Sequence, residues 1–364
     1  MSGVQLVRHG GPETLVWSDD IAIRAPGPGE ALVKVLAAGV NNTDINTRVG
    51  WYAKEVTGAT DASGAVTAEE GGFAGALNFP LIQGGDLCGR VVALGEGDGP
   101  AVGARVTAAL NQPMPEVGAR VIAPNVQPGS VPGRSVGYRV IGSDYDGCFA
   151  QYCTVPVDQL YDVTDAPLTD VEIAAMPCAY GTAEGLLSRA ALAEGERALI
   201  TGASGGVGMA AVQLAKIRAA HVTGVSSAPK AQAVRDAGAD EVVDRDAVPT
   251  AQSYDVVIDL VGGPGWGTLI DALVPGGRYA VSGAIAGPIV EADLRTIYLN
   301  DLSILGSTYQ PREVFSRLVD LMRQGAVRPL VSQTYPLAQI HRAQEDFAAK
   351  TYPGKLVLIP PGVA

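Results

Sequence analysis

The sequence predicts an α/β protein of two domains: a doubly wound parallel sheet, and a mostly β domain that the chain leaves and later rejoins. Three observations carry this. At 364 residues the chain is long for one hydrophobic core. Residues 1–165 read as short apolar or alternating runs punctuated by Gly and Pro. From about 168 onward, apolar strands alternate with helices, the pattern of a parallel sheet covered on both faces.

In order, VQLV, ALVKVLAA, GRVVALG, ARVTAAL, ARVIAP and FAQYCTVP are the strands of the first part. The fragment VGAR-V recurs at 102–106 and 117–121, a local duplication or a hairpin. Residues 53–78 are small and polar without a sustained period and predict a long loop, as do 124–137. Residues 168–192 predict a helix with a break near Pro177. Then ALITGAS is a strand, GGVGMAAVQLAKIRA a helix, HVTGVSS a strand and PKAQAVRDAGA a helix. EVVD and YDVVIDLVG are strands, GTLIDALVP a helix, and RYAVSG and LSILGST strands. Two helices follow, VFSRLVDLMRQGAV and LAQIHRAQEDFAAK, and GKLVLIP closes as a strand that rejoins the first domain. The domains are thus 1–165 with 320–364, and 166–319.

Composition narrows the function classes. With 26 basic residues against 38 acidic and a net charge of −12, a general nucleic-acid or anionic-membrane binder is disfavoured. No apolar run reaches membrane-spanning length and no leader pattern is present, so a cytoplasmic protein acting on a small molecule is expected. Four scattered cysteines make neither a disulfide framework nor a closed zinc site.

The strongest motif is ALITGASGGVG, a Gly-rich turn that follows a strand and opens a helix. Ser204, Gly205, Gly206 and Val207 would meet a pyrophosphate at the helix start, and Gly208 would let helix and strand pack closely. This is the context of a Rossmann dinucleotide site. At the end of the next strand an NAD site normally keeps an acid for the ribose hydroxyls. Here Ser226, Ser227 and Lys230 stand instead, which suits a 2′-phosphate and predicts NADPH. A plainer reading of the same residues is a helix cap and a solvated lysine. The later strand ends place Val261, Gly283 and Ser307 beside the cofactor.

The order of parts resembles the medium-chain dehydrogenase/reductase superfamily, through AAGVNNTD, FPLIQGGDLCGRVVALG, FAQYCTVP, MPCAYGTA, TGASGGVG and GKLVL. The resemblance implies a GroES-like first domain and a Rossmann second, with Thr182 of the C-A-x-x-T segment touching the cofactor. Zinc members keep a Cys after the first long strand, a Gly-His-Glu after the next, and a later Cys or Asp. This chain has Asn41, Gly84-Gly85-Asp86 and Cys178 there, so no catalytic metal is expected. The chain looks like the zinc-free quinone oxidoreductases and enoyl reductases.

In that branch the resemblance puts a proton-donating tyrosine at Tyr52, within D-I-N-T-R-V-G-W-Y. It also puts Asn41 where an amide could donate to a substrate oxygen, and Thr43 where zinc members keep a relay hydroxyl. Alternatively these polar residues only satisfy a turn, and Trp51-Tyr52 is a packing pair. The expected activity is NADPH-dependent, zinc-independent reduction of the C=C of an enone, enoyl thioester or quinone. A zinc-free alcohol or carbonyl dehydrogenase, or an NADPH binder without turnover, are the alternatives. A homodimer joined at the RYAVSG and LSILGST edge is also expected.

Overall fold

A computed structural model describes residues 1–60, 71–73, 76–113, 138–247 and 249–362. The chain forms two compact units. One comprises Met1–Val56, Gly64–Gly181 and Tyr309–Ala364, and the other Thr57–Ser63 and Thr182–Thr308.

In the first unit β1 (Gly3–Leu6) and β2 (Leu15–Ser18) pair antiparallel. The long β3 (Glu30–Gly39) leads into helix α1 (Asn42–Val49), followed by β4 (Asp86–Leu94), β5 (Arg105–Ala108) and the short pair β6 (Asn111–Pro113) and β7 (Tyr138–Val140). Then come β8 (Tyr152–Pro156), β9 (Leu160–Asp162), helix α2 (Asp170–Ala174) and helix α3 (Pro177–Arg189), which passes into the second unit at Thr182. The second unit holds β10 (Arg197–Ile200), α4 (Gly206–Ile217), β11 (His221–Val225), α5 (Ala231–Asp236), β12 (Glu241–Val243) and β13 (Tyr254–Asp259). It ends with α6 (Trp266–Asp271), β14 (Leu273–Val281), α7 (Leu294–Leu299) and β15 (Ser303–Gly306). The chain returns to the first unit through α8 (Arg312–Gln324), β16 (Val331–Pro336), α9 (Ile340–Ala348) and β17 (Lys355–Ile359).

Six parallel strands in the order β12-β11-β10-β13-β14-β15 make the second unit a doubly wound sheet. The reversal of strand order at β10 creates the switch point where such sheets take ligands. The first unit is built on β3, which pairs antiparallel with β4, β8 and the returning β17. Val33, Val35, Ala37, Ala38, Leu87, Val155, Val357 and Leu358 are all buried. The closing GKLVLIP strand, β17, pairs antiparallel with β3 of the first unit.

Three local readings differ. The stretch NNTDINTRVGWY is a helix over its first two-thirds rather than a turn. Asp44 at its third position accepts the Asn41 N–H at 2.8 Å, and Gly50 ends it in the left-handed region at φ 78°. Hydrophobic periodicity misses this helix because its buried residues include Asp44, Asn46, Thr47 and Arg48. Second, GTLIDALVP is helical only to Asp271. β14 starts at Leu273, and its pairing with β13 jumps from Leu273 to Arg278, so Pro275 and two glycines sit in an irregularity of the ladder. Third, FAQYCTVP is a strand only from Tyr152 onward, and Phe149–Gln151 precede β8. Within 53–78, residues 61–70 and 74–75 lie outside the described residues, as do 114–137, which contain ARVIAP and the second VGAR copy.

Candidate active site

In the second unit, β10 runs into the Gly-rich turn and α4 opens at Gly206. Its N-cap, Gly205, is extended and has no side chain to cap the helix, so the first-turn N–H groups suit an anion. A Cβ added at Gly208 would lie 2.2 Å from the Gly202 carbonyl oxygen and 2.6 Å from Ala203 Cα. Only glycine lets helix and strand approach this closely. Ser204, Gly205, Gly206, Val207 and Gly208 thus form one continuous cradle.

At the end of β11, Ser226 is buried and its N–H donates to the Val243 carbonyl at 3.0 Å, tying this strand end to that of β12. Ser227 opens a short 3₁₀ turn over Ala228–Lys230 without capping it by its side chain. Burial, reinforced by the positive charge of Arg245, holds the half-buried Lys230 ammonium below its ordinary pKa. Arg245 was not singled out from sequence. The signal was available, because Arg245 follows EVVD at the end of the adjacent strand, where the reasoning applied to Ser226 and Lys230 applies equally.

The neighbouring strand end is organised by Asp259, which is fully buried. Its carboxylate accepts from Thr201 Oγ1 and Tyr279 OH, both at 2.6 Å, and from the N–H groups of Val261 at 2.9 Å and Gly262 at 3.2 Å. This pins the turn that carries Val261. Burial and the adjacent carboxylate drive the Tyr279 phenol far above its usual range. Gly283 lies where a Cβ would meet the Leu260 carbonyl oxygen at 2.7 Å. Ser307, buried, donates its N–H to Val281 at 2.9 Å. Thr182 is half-buried on α3. The strand ends carrying the cradle, Val261, Gly283 and Ser307 belong to adjacent parallel strands, so these residues lie along one edge of the sheet.

In the first unit, Asn41, Asp86 and Cys178 do come together, around an ammonium group. Lys355, 2% exposed, donates to Asp86 Oδ2 and to the Val40 carbonyl, both at 2.9 Å, and to Asn41 Oδ1. Asn41 Nδ2 donates to the same Asp86 oxygen at 2.8 Å, and the Cys178 backbone N–H donates to Asp86 Oδ1 at 2.6 Å. All three protons of the ammonium are used. Burial pushes the Asp44 carboxyl up to about 7. The Asn41 N–H opposes this and the Asp86 charge adds to it. These residues do not fit a catalytic zinc, which takes three protein ligands and an open position. One of them is a neutral amide, one a carboxylate already spent on Lys355, and one a thiol. Among the described residues no group of three His, Cys, Asp or Glu could hold a metal ion.

Beside this cluster, Tyr52 packs edge-on against Phe73 at 5.0 Å and Trp51 at 5.5 Å between ring centres. Burial raises its phenol well above the ordinary range; the Asn46 side chain pulls the other way, and Cys178 and Asp44 add to the rise. At neutral pH it is a hydrogen-bond donor. Phe73 joins Leu110, Val140, Cys178 and Tyr309 in one apolar cluster. Thr43 is half-buried in the first turn of α1. An open cavity of about 440 Å³ beside Arg24, Glu30, Arg139 and Tyr145 is lined by none of the predicted residues.

A Gly-rich cradle on a doubly wound sheet, in a chain that also carries a β-rich unit with a polar cluster and a phenol, is an arrangement suited to a two-domain dehydrogenase or reductase. Residues 27–165 match the family described as alcohol dehydrogenase GroES-like domain, and 206–324 that described as zinc-binding dehydrogenase. The chain is 29% identical to the acryloyl-coenzyme A reductase of Metallosphaera sedula, over 92% of this chain and 93% of that one. It is 27% identical to the quinone oxidoreductase of Lama guanicoe, over 99% and 97%. A crystal structure from Sinorhizobium meliloti 1021, provisionally described as an alcohol dehydrogenase, is 42% identical. It superposes with a TM-score of 0.85, covering 99% of this chain and 96% of that one. The chain belongs to the medium-chain dehydrogenase/reductase superfamily and is an oxidoreductase.

Proposed function

We propose that the protein is a zinc-independent, NADPH-dependent reductase of a carbon–carbon double bond conjugated to a carbonyl, in an enone, enoyl thioester or quinone. The observation that supports this is that Asn41, which the resemblance sets where zinc members keep a ligand, and Asp86, beside the Gly85 position, are both committed to the Lys355 ammonium. Without a metal to polarise it, a simple ketone is a poor hydride acceptor, whereas a conjugated system spreads charge onto an oxygen that hydrogen-bond donors can meet. NADPH supplies the hydride when bound. The Ser204–Gly208 cradle takes its pyrophosphate, and Val261, Gly283, Ser307 and Thr182 line its path. Ser226, Ser227, Lys230 and Arg245 take the 2′-phosphate, which relieves the repulsion between two cations. Tyr52 donates the proton that balances the hydride, and Asn41 and Thr43 position the substrate side of the site.

The test is oxidation of NADPH against a panel of enones, quinones, aldehydes and enoyl thioesters, with bound zinc measured on the same sample. Turnover of a conjugated acceptor by a metal-free preparation is expected. About one zinc per chain would overturn the reading, and reversible oxidation of an alcohol would favour a carbonyl dehydrogenase. Lys230→Ala should weaken NADPH about tenfold and leave NADH unchanged. Tyr52→Phe should lower turnover about tenfold to a hundredfold with NADPH binding intact. Unchanged turnover in that variant would make Tyr52 a packing residue.

The reading includes a homodimer. β15 is the edge of the parallel sheet, and Ile289, Leu294, Tyr298, Leu299 and Ile304, on or before it, are exposed large apolar side chains. A monomer by light scattering at micromolar concentration would refute this.

A further inference from the structure

Gln310 is 1% exposed, yet among the described residues neither its Nε2 nor its Oε1 has a hydrogen-bond partner. A buried amide unpaired at both ends is rare in a folded protein and calls for an explanation. Its position supplies one. The amide lies against helix α3 at Gly181, where an added Cβ would come within 2.6 Å of Nε2 and 2.8 Å of Oε1. Gly181 is one turn beyond Cys178, so the two share a helix face. Cys178 and Tyr309, the residue before Gln310, belong to the apolar cluster that contains Phe73, and Phe73 packs on Tyr52. The unpaired amide therefore stands one helical turn from Cys178, whose apolar cluster includes Phe73, the ring on which Tyr52 packs.

We infer that the Gln310 side-chain amide is a specificity-determining anchor for the ligand that binds beside Tyr52, its Nε2 donating to a ligand carbonyl oxygen and its Oε1 accepting from a ligand N–H or O–H. Gly181 is the space that lets the amide stand there. The choice of a carbonyl ligand rests on the proposed reductase activity. The unpaired state of Gln310 does not.

Two variants and two readouts test this. Gln310→Leu removes both hydrogen-bonding ends at similar volume, and Gly181→Ala puts a methyl group where the amide sits. In the unliganded protein Gln310→Leu should keep or raise the melting temperature, because it removes polar atoms that have no partner among the described residues. A fall of several degrees would assign Gln310 a partner within the protein and overturn the inference. The second readout is titration of crotonamide, which presents a carbonyl and an N–H together, followed by ligand-observed NMR. The unaltered protein should bind it at least fivefold more tightly than either variant. Equal binding, or no binding to the unaltered protein, overturns the inference. With whichever conjugated acceptor the protein reduces, KM should rise about tenfold in Gln310→Leu while kcat and the NADPH dissociation constant hold. If no acceptor in the panel is reduced, the reductase reading fails, and the melting and crotonamide results still decide the role of Gln310.

Discussion

Asp86 in the first unit and Asp259 in the second are both fully buried carboxylates, and they are compensated in different ways. Asp86 in the first unit faces a full positive charge on Lys355, with an amide and a backbone N–H beside it. Asp259 in the second faces only neutral donors: two hydroxyls and two backbone N–H groups. A buried ion pair rests on one partner, and removing that partner strands an uncompensated charge. A carboxylate held by several dipoles loses one of them more gently. The difference also separates their roles. The Asp259 set fixes the backbone of a turn on the nucleotide side, while the Asp86 set fixes the side chain of Asn41.

Lys355→Met should break the first arrangement and give the largest effect, a loss of about 3–5 kcal/mol by denaturant unfolding. Adding Asp86→Asn to that variant should recover part of the loss, since the stranded charge is then gone. A loss within 1 kcal/mol in Lys355→Met would show that solvent reaches Asp86. Tyr279→Phe should cost less, about 1–3 kcal/mol, because Asp259 keeps Thr201 and both N–H groups. If it cost as much as Lys355→Met, the contrast between charge and dipole compensation would fail.

Asp44→Asn sharpens the comparison through slope instead of through a loss at one pH. The Asp44 carboxyl titrates at about 7 in the folded protein, above its unfolded value. Between the two values the folded state holds a proton that the unfolded state has released, so stability falls as pH rises from about 4 to 7. An asparagine cannot titrate, and the stability of the variant should be flatter over that window. Parallel pH profiles for the two proteins would mean that the carboxyl ionises freely where it stands.

Much of this was legible in the residues. The strand–helix alternation after 168 gave a parallel sheet, and the glycines of GASGGVG marked the cradle, because apolar periodicity and glycine placement are local signals. Helix α1 was not legible, since its inner face is polar and a hydrophobic pattern cannot report a helix that buries Asp44, Asn46 and Arg48. Lys355 was visible only as part of a terminal strand. Its meaning depends on a long-range pairing that sets it beside Asn41 and Asp86, more than 260 residues earlier in the chain. Gln310 was missed for a related reason, because an unpaired amide is a property of surroundings and leaves no mark in sequence.

The path of the chain has a consequence for synthesis. The parallel-sheet unit is nearly contiguous, from Thr182 to Thr308, so it can close while the ribosome is still translating the remainder. The first unit cannot. Its β3 waits for β17, and Asp86 waits for the ammonium of Lys355. Until residue 355 emerges, the nascent first unit carries a carboxylate without its counter-charge and a strand without its neighbour. Premature termination anywhere in the last helix would leave a finished nucleotide unit tethered to an unsealed one, a natural substrate for chaperones and proteases.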